Sequence, residues 1–375
     1  MVLEILFWGS LAALVWTHVG YPLAAALLAS VRNRRVRKAD ITPDVAVIVA
    51  AHNEQDLIGR LLESLLALDY PQELLEIVVA SDASTDQTDA LVKGFAARDG
   101  RIRLLQCPRG GKVAAQNAAV RLTNAEVLAF ADAPAAWAPD ALRTLVRSFA
   151  DPDVAYVAGR VLFAEPRGTN REGVYWRYEL WLRERESALG SLTGGNGAIY
   201  AVRSADYVEV DPRFGHDLTF PYLMVQRGRR AVYEPDAVAQ DQPAGDLEDE
   251  YGRKVRMFEH CWLILFKGRM LRGVGLLYLF ELLAHRVLRY ASGLLHLVLL
   301  ATSLALVRRG LAYEVVAAAQ AGWLALAAAG RARLPIPGAA LAYYYVLVTW
   351  ATIAALVRYV RFGVAPVWEK VEGTR

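Results

Sequence analysis

The chain has 375 residues, room for one large domain plus appendages. Apolar residues make up 55%, above the roughly 45–50% usual for soluble domains, and the excess sits at the two ends. A formal net charge of +3 is too small to argue for a nucleic-acid partner, and the basic residues gather beside the apolar ends, which suits an anionic membrane surface.

Leu3 to Ser30 is almost wholly apolar, long enough to cross a hydrocarbon core of about 30 Å. No basic region precedes it, as a secretory signal would require. Arg32, Arg34, Arg35, Arg37 and Lys38 follow it, and by the positive-inside rule they lie in the cytoplasm with the N-terminus outside. Val45 to Ala51 is a continuous, mostly β-branched run, as expected of a strand buried on both faces. Asp56 to Leu68 carries Leu57, Ile58, Leu61, Leu62, Leu65 and Leu66 at helical spacing. A strand at Leu75 to Ala80, a helix at Thr88 to Ala97 and a strand at Ile102 to Gln106 come next. Then follow a glycine turn at Arg109 to Lys112 leading into a helix through Leu122, and a strand at Val127 to Ala131. This alternation predicts an α/β fold with a parallel, doubly wound sheet, whose ligand crevice lies at the strand ends. Ser81 to Asp86, Asp132 and His216-Asp217 supply acids at or after such ends.

Beyond Asp151 the pattern predicts strands at Val154 to Ala158, Ala198 to Val202 and Arg230 to Glu234. It predicts helices at Arg171 to Leu189 and Leu218 to Arg227. Leu247 to Leu271 mixes bases with large apolar residues and suits a helix in the membrane interface. Leu276 to Tyr290 contains Glu281, His285, Arg286 and Arg289 and reads as interfacial rather than spanning. Candidate spans are Ala291 to Val307, Tyr313 to Ala329 and Ala339 to Val357. Three spans would put the C-terminus outside, whereas Arg358, Arg361 and Lys370 argue for inside. The expected division is 1–40 as anchor and basic flank, 41–246 as the α/β domain, 247–290 as interfacial helices and 291–375 as the C-terminal membrane region. Cys107 and Cys261 show neither metal-ligand spacing nor a disulfide framework and read as idle thiols in a reducing compartment.

Several short motifs stand in one order: Ala51-His52-Asn53-Glu54, Ser81 to Asp86, Arg109-Gly110-Gly111-Lys112 with Asn117, Asp132, Thr193 to Ala198, His216-Asp217 and Arg253 to Arg256. Each alone is weak. The ordered set resembles the membrane-bound family-2 glycosyltransferases, which include bacterial cellulose, hyaluronan and poly-N-acetylglucosamine synthases. The resemblance implies a GT-A fold and an inverting transfer of sugar from a UDP- or GDP-linked donor to a lipid-linked or growing polysaccharide acceptor. A processive synthase is the nearest variant, and a catalytically weak nucleotide-sugar-binding or partner subunit is the alternative of another class. The implied setting is the inner (plasma) membrane, multi-pass, with the catalytic domain cytoplasmic and a polysaccharide export system supplying a partner subunit.

By the same resemblance Ala51, His52, Asn53, Glu54, Asp82, Lys112, Asn117, Asp132, Arg253 and Arg256 bind the donor. Asp217 is the base. Trp176, Thr193, Gly194, Asn196 and His216 fall on the acceptor side. Asp132 is the first acid of the DxD motif that holds Mg²⁺ or Mn²⁺. Pro134 replaces its second acid, which implies a weak metal site, and Met257 replaces the tryptophan of QxxRW, a mark of the polymerising synthases. Other readings stand beside these: Asp82 and Asp86 as helix caps, Gly110-Gly111 as an ordinary turn, Trp176 as packing, and Arg253 to Arg256 as a lipid-facing basic patch.

Overall fold

The structure is a computed structural model of the 375-residue chain and describes residues 1–163, 171–241 and 247–365. The chain begins with helices α1 (Val2–Val15) and α2 (Tyr21–Val31), joined through one π-type turn at Trp16–Gly20. Pro22 explains the turn. It has no N–H to donate and its ring crowds the carbonyl one turn back, so the backbone widens just before it.

Then come β1 (Val45–Ala51), α3 (Ile58–Leu66), β2 (Leu75–Asp82), α4 (Thr88–Ala96), β3 (Ile102–Cys107), α5 (Lys112–Val120) and β4 (Val127–Asp132). They are followed by β5 (Ala136–Trp137), α6 (Ala141–Val146), β6 (Val154–Phe163), α7 (Arg171–Leu189), β7 (Ile199–Arg203), α8 (His216–Gln226) and β8 (Arg230–Asp241). Among the described residues, the eight strands form one sheet in the order β3-β2-β1-β4-β7-β6-β8-β5. β1 shows why the β-branched run is needed. Val45, Val47 and Val49 enter the core on one face of the sheet, while Ala46 and Ile48 enter the core on the other.

β1, β2, β3 and β4 are mutually parallel, and the chain order reverses at β1, with β2 on one side and β4 on the other. The crevice for a ligand opens at such a reversal, beyond the carboxyl ends of the strands. The sheet is nevertheless mixed rather than wholly parallel: β7 runs antiparallel to both β4 and β6. Ile199 lies opposite Ala131, at the carboxyl end of β4. The glycine-rich segment before β7 therefore arrives at the crevice rim, and the strand that follows can only run back across the sheet. Sequence periodicity missed β5 and α6, which are short, and ended β6 and β8 too early, where each continues as a pair through Phe163 and Asp241.

The remaining helices are α9 (Leu247–Lys267), α10 (Leu276–Glu281), α11 (Leu288–Tyr290), α12 (Ser292–Leu306), α13 (Leu311–Arg331) and α14 (Ala339–Phe362), with a second π-type turn at Leu282–Val287. Among the described residues, four helical stretches are long and apolar enough to cross a membrane: Val2–Val31, Ser292–Arg309, Leu311–Arg331 and Ala339–Phe362. They coincide within a few residues with the stretches expected from hydropathy. α1 packs along α12 through Phe7, Leu14, Leu299 and Leu306. α9 lies along α14, where Val255, Phe258 and Trp262 meet Ala351 and Ala355. Trp262 Nε1 donates to the Thr352 carbonyl at 2.9 Å, and Arg358 pairs with Glu259 at 2.6 Å. The end of α14 is thus fastened to a helix that also holds the α/β domain, through His260 Nδ1 against the Arg213 carbonyl at 2.8 Å. Lys370, invoked above for the side of the C-terminus, lies outside the described residues.

The basic segment after α2 is docked on the domain rather than left in solution. Arg34 reaches Asp153 at 2.8 Å, and Lys38 reaches the buried Glu234 at 2.7 Å. The core is held mainly by apolar burial, and Leu62, fully buried between α3 and the sheet, tests that directly. Leu62→Ala should lower unfolding stability by about 2–5 kcal/mol through lost burial and an unfilled cavity. Denaturant titration of the detergent-solubilised chain checks the value.

Candidate active site

Two loops at the crevice are knitted together by backbone donors. Asn53, at the carboxyl end of β1, takes a φ of 54°, a left-handed geometry that asparagine tolerates better than most residues. Its Oδ1 accepts from Thr85 N at 2.8 Å, and its own N–H donates to Ser84 Oγ at 3.2 Å. Glu54 N donates to Thr88 Oγ1 at 2.8 Å, and His52 Nδ1 lies 2.7 Å from the Asp82 carbonyl. Asp86 caps α4 through Thr88 N at 2.9 Å.

Asp82 is 2% exposed and accepts Gly110 N at 2.7 Å, Gly111 N at 3.0 Å and the Arg109 guanidinium. Its carboxylate holds the glycine turn, and Gly111, with a φ of 88°, ends that turn and opens α5. This sets Lys112 as the first residue of the helix. A cavity of about 160 Å³ lies over these groups, lined by Ala51, His52, Glu54, Asp82, Arg109, Lys112, Asp132 and Pro134.

Lys112 pairs with Asp132 at the end of β4, and each side chain keeps about 30% of its surface accessible. Burial pulls the Lys112 ammonium down, but Asp132 and Asp217 outweigh it and hold it above its ordinary range. Burial raises the Asp132 carboxyl, against the pull of Lys112. The pair leaves no room for a side chain behind it. A Cβ on Gly197 would stand 2.6 Å from Asp132 Oδ2 and 3.0 Å from Lys112 Nζ. Gly195 donates its N–H to the Asp217 carbonyl at 2.7 Å, and a Cβ there would strike the Tyr156 hydroxyl.

Asp217 is half-buried in the first turn of α8. It lines a second cavity of about 160 Å³ with Lys112, Gln116, His216 and His260, and a third of about 320 Å³ with Lys112 and Asp132. The third cavity is also lined by Trp176, Asn196 and Arg253, and by Cys261, Tyr290 and Tyr344 from the C-terminal helices. Asp132, Lys112 and Asp217, 105 residues apart at the extremes, therefore share one space.

Other residues singled out from the sequence stand elsewhere or are fully engaged. Asn117 donates to the Val210 carbonyl at 3.1 Å and accepts the Tyr207 hydroxyl at 2.6 Å, so it braces a loop, and it lines none of these cavities. Thr193 and Gly194 are turned toward the C-terminal helices: Thr193 is hydrogen-bonded to Glu186 and accepts Arg286 Nε at 2.8 Å. Asn196 spans the Gly159 carbonyl and Ile199 N. Trp176 donates to the Val161 carbonyl at 2.8 Å while lining the third cavity. Arg253 grips Glu250 at 2.8 and 3.0 Å, and Arg256, one turn along, lines none of the three cavities.

Arg109 was not singled out among the donor residues, although its place beside the glycine turn was a signal.

For a divalent cation the donor set is lean. No group of three His, Cys, Asp or Glu side chains among the described residues is arranged to hold one. Mg²⁺ is commonly bound through one or two carboxylates plus substrate phosphates. Asp132, accessible at the cavity, fits that limited role, with Lys112 competing for its carboxylate.

Residues 46–210 match the model described as glycosyl transferase family 2. The chain carries a family-2 glycosyltransferase domain. Over 215 residues it is 28% identical to a β-monoglucosyldiacylglycerol synthase of Nostoc sp., covering 55% of this chain and 46% of that protein. Over 287 residues it is 28% identical to an N-acetylglucosaminyltransferase of Rhizobium meliloti, covering 69% of this chain and 67% of that one. The chain spans about half the length, or less, of the cyanobacterial relatives it matches. In structure it superposes on the mannosyltransferase PcManGT from Pyrobaculum calidifontis, solved with GDP-Man and Mn²⁺. The TM-score is 0.77 at 25% identity, over 96% of this chain and 99% of the other. That likeness extends beyond the sheet to the flanking helices of this chain, and its GT-A fold is the mixed, mostly parallel sheet described above.

His216 gives the chain a pH signature. It is 3% exposed, enclosed by Phe130, Tyr207 and Phe220, with Nδ1 3.0 Å from the Tyr200 hydroxyl. Burial, with a smaller push from Lys112, drives its pKa down to about 3. The unfolded chain takes up this proton near pH 6.5 and the folded chain does not. The contribution is therefore intact above pH 6.5 and is lost as pH falls from there toward 3. His216→Asn should flatten the fall of melting temperature between pH 6.5 and 4 relative to the wild type, measured by thermal unfolding in detergent.

Proposed function

We propose that the chain transfers a sugar from a nucleotide-sugar donor, with inversion, to a lipid-linked or growing saccharide acceptor at the cytoplasmic face of the cell's inner membrane. The observation that carries this reading is the shared cavity, in which Asp217 meets Lys112 and Asp132 on the strand side and Tyr290 and Tyr344 on the helix side. A donor entering over the strand ends and an acceptor entering from the membrane helices would meet at Asp217.

The donor's nucleotide occupies the cavity over His52, Glu54 and Arg109, against the turn that Asp82 braces. Its base is uracil or guanine. The structural relative named above was solved with a guanosine diphosphate sugar, and its likeness favours testing GDP-linked donors first. Asp217 accepts the proton of the acceptor hydroxyl as the oxygen bonds to the anomeric carbon. The bond from that carbon to the diphosphate breaks, and the nucleoside diphosphate leaves with the electron pair. Lys112 faces the charge that develops there, the place where fixed positive groups lower a barrier most. A divalent cation at Asp132 would supply further positive charge to the diphosphate.

A positioned base contributes typically about 10²–10⁴-fold. Asp217→Asn keeps the helix-start geometry but cannot take the proton. It should reduce transfer at least about a hundredfold, with nucleotide affinity unchanged in calorimetry; transfer near the wild-type rate would remove Asp217 from the mechanism.

Pro134 lies beside Asp132 in the donor cavity and offers no side-chain ligand. Pro134→Asp should shift Mn²⁺-dependent nucleotide binding to lower metal concentration. Identical Mn²⁺ titrations for the two proteins would show that Asp132 and the diphosphate suffice.

A further inference from the structure

The cavity that Asp217 lines is also lined by Arg183, Arg286 and Arg289. Arg183 and Arg286 are only 5% and 7% exposed. A guanidinium cannot shed its proton, so burying one demands compensation. Yet Arg183 Nε and Nη1 and Arg286 Nη2 have no hydrogen-bond partner among the described residues.

Among the described residues, the acid within ion-pair range of both is Glu179. It stands 3.7 Å from Arg183 Nε and 3.8 Å from Arg286 Nη2, while Arg289 binds its other oxygen at 2.7 Å. The neighbouring buried acid, Glu186, is engaged by His285 at 2.6 Å, Tyr21 at 2.8 Å and Thr193 at 3.0 Å. Glu179 therefore faces three guanidinium groups.

The seat is built, not incidental. Thr193 Oγ1 accepts Arg286 Nε at 2.8 Å, and a Cβ on Gly194 would stand 2.7 Å from Arg286 Nη2. Arg183 is stacked over the Trp176 ring at 5.1 Å, which fixes its plane. Planar forks with unused N–H groups match phosphate oxygens. The same cavity is lined by Phe258, Tyr290 and Tyr344, and Tyr344 belongs to a helix apolar enough to span a membrane.

We propose that Arg183, Arg286 and Arg289 bind the phosphate of a phosphate-bearing lipid, with its chain directed along α9 and α14. On the transferase reading, from which it takes only the word acceptor, this phosphate is the handle by which a lipid-linked acceptor is held with its reacting hydroxyl at Asp217.

The test uses the full chain in phosphatidylcholine nanodiscs without donor, titrated by calorimetry with farnesyl phosphate, farnesol and inorganic phosphate. Farnesyl phosphate should bind at least tenfold tighter than either of the others. Arg183→Gln and Arg286→Gln should each erase that preference while UDP and GDP affinities stay unchanged. Equal binding of farnesol, equal binding of inorganic phosphate, displacement of farnesyl phosphate by UDP or GDP, or a preference that survives both substitutions would each overturn the assignment. The comparison of the three ligands on the wild type stands even where a variant fails to fold. No transfer assay enters it, so failure of the transferase reading would be seen separately, in the Asp217→Asn and donor experiments.

Discussion

The pairing of Lys112 with Asp132 is the contact on which the site depends. It joins the first residue of α5 to the last residue of β4, across the place where the strand order reverses. Three features exist to permit it. Asp82 braces the glycine turn that starts α5 at Lys112, Gly197 leaves the pair uncrowded, and β7 runs antiparallel so that the segment before it reaches the rim. Two opposite charges held together in a cavity keep each other ionised where burial alone would favour neutral forms. The crevice therefore presents charge without a large net field.

A second polar network binds the α/β domain to its helical frame. Tyr21 from the first apolar helix, Glu179 and Glu186 from α7, Thr193 from the rim and His285, Arg286 and Arg289 from the second π-type turn and α11 all meet in one buried cluster. Thr17 Oγ1 donates to the Ala284 carbonyl at 2.8 Å, so the two π-type turns touch. Burial raises the Glu179 carboxyl, but Arg289, His285 and Arg286 outweigh it and hold it well below the usual carboxylate range. Buried ionic groups of this kind resist rearrangement, because separating any one from its partners strands a charge. The orientation of the α/β domain on its apolar helices is thus fixed by chemistry rather than by a flexible tether.

Residues that look alike in a motif take on different work. Asp82 and Asp132 both end parallel strands, yet one is spent on backbone N–H groups and the other stays accessible. Thr193 and Gly194 adjoin Gly195 and Gly197 in one glycine-rich run, yet the first two shape the seat of Arg286 and the last two adjoin Asp217 and the Lys112–Asp132 pair.

The sequence by itself determined the elements whose signal is local. Repeating β-branched runs, helical leucine spacing and long apolar stretches each depend on a few neighbours, and β1, α3, α7 and the four candidate spans came out close to where periodicity put them. The ordered motifs also named Lys112, Asp132 and Asp217, which the fold brings to one cavity. What only the tertiary structure decided concerns partners distant in sequence. The antiparallel course of β7, the diversion of Asn117 to a loop carbonyl, the occupation of Asp82 by the glycine turn and the docking of Lys38 on Glu234 all follow from contacts across many residues. The arginine seat is the sharpest case. Arg183 and Arg286 lie 103 positions apart in helices whose composition gives no hint that they meet. A side chain's partners, and so its charge and its work, are set by the fold's closure rather than by its neighbours along the chain.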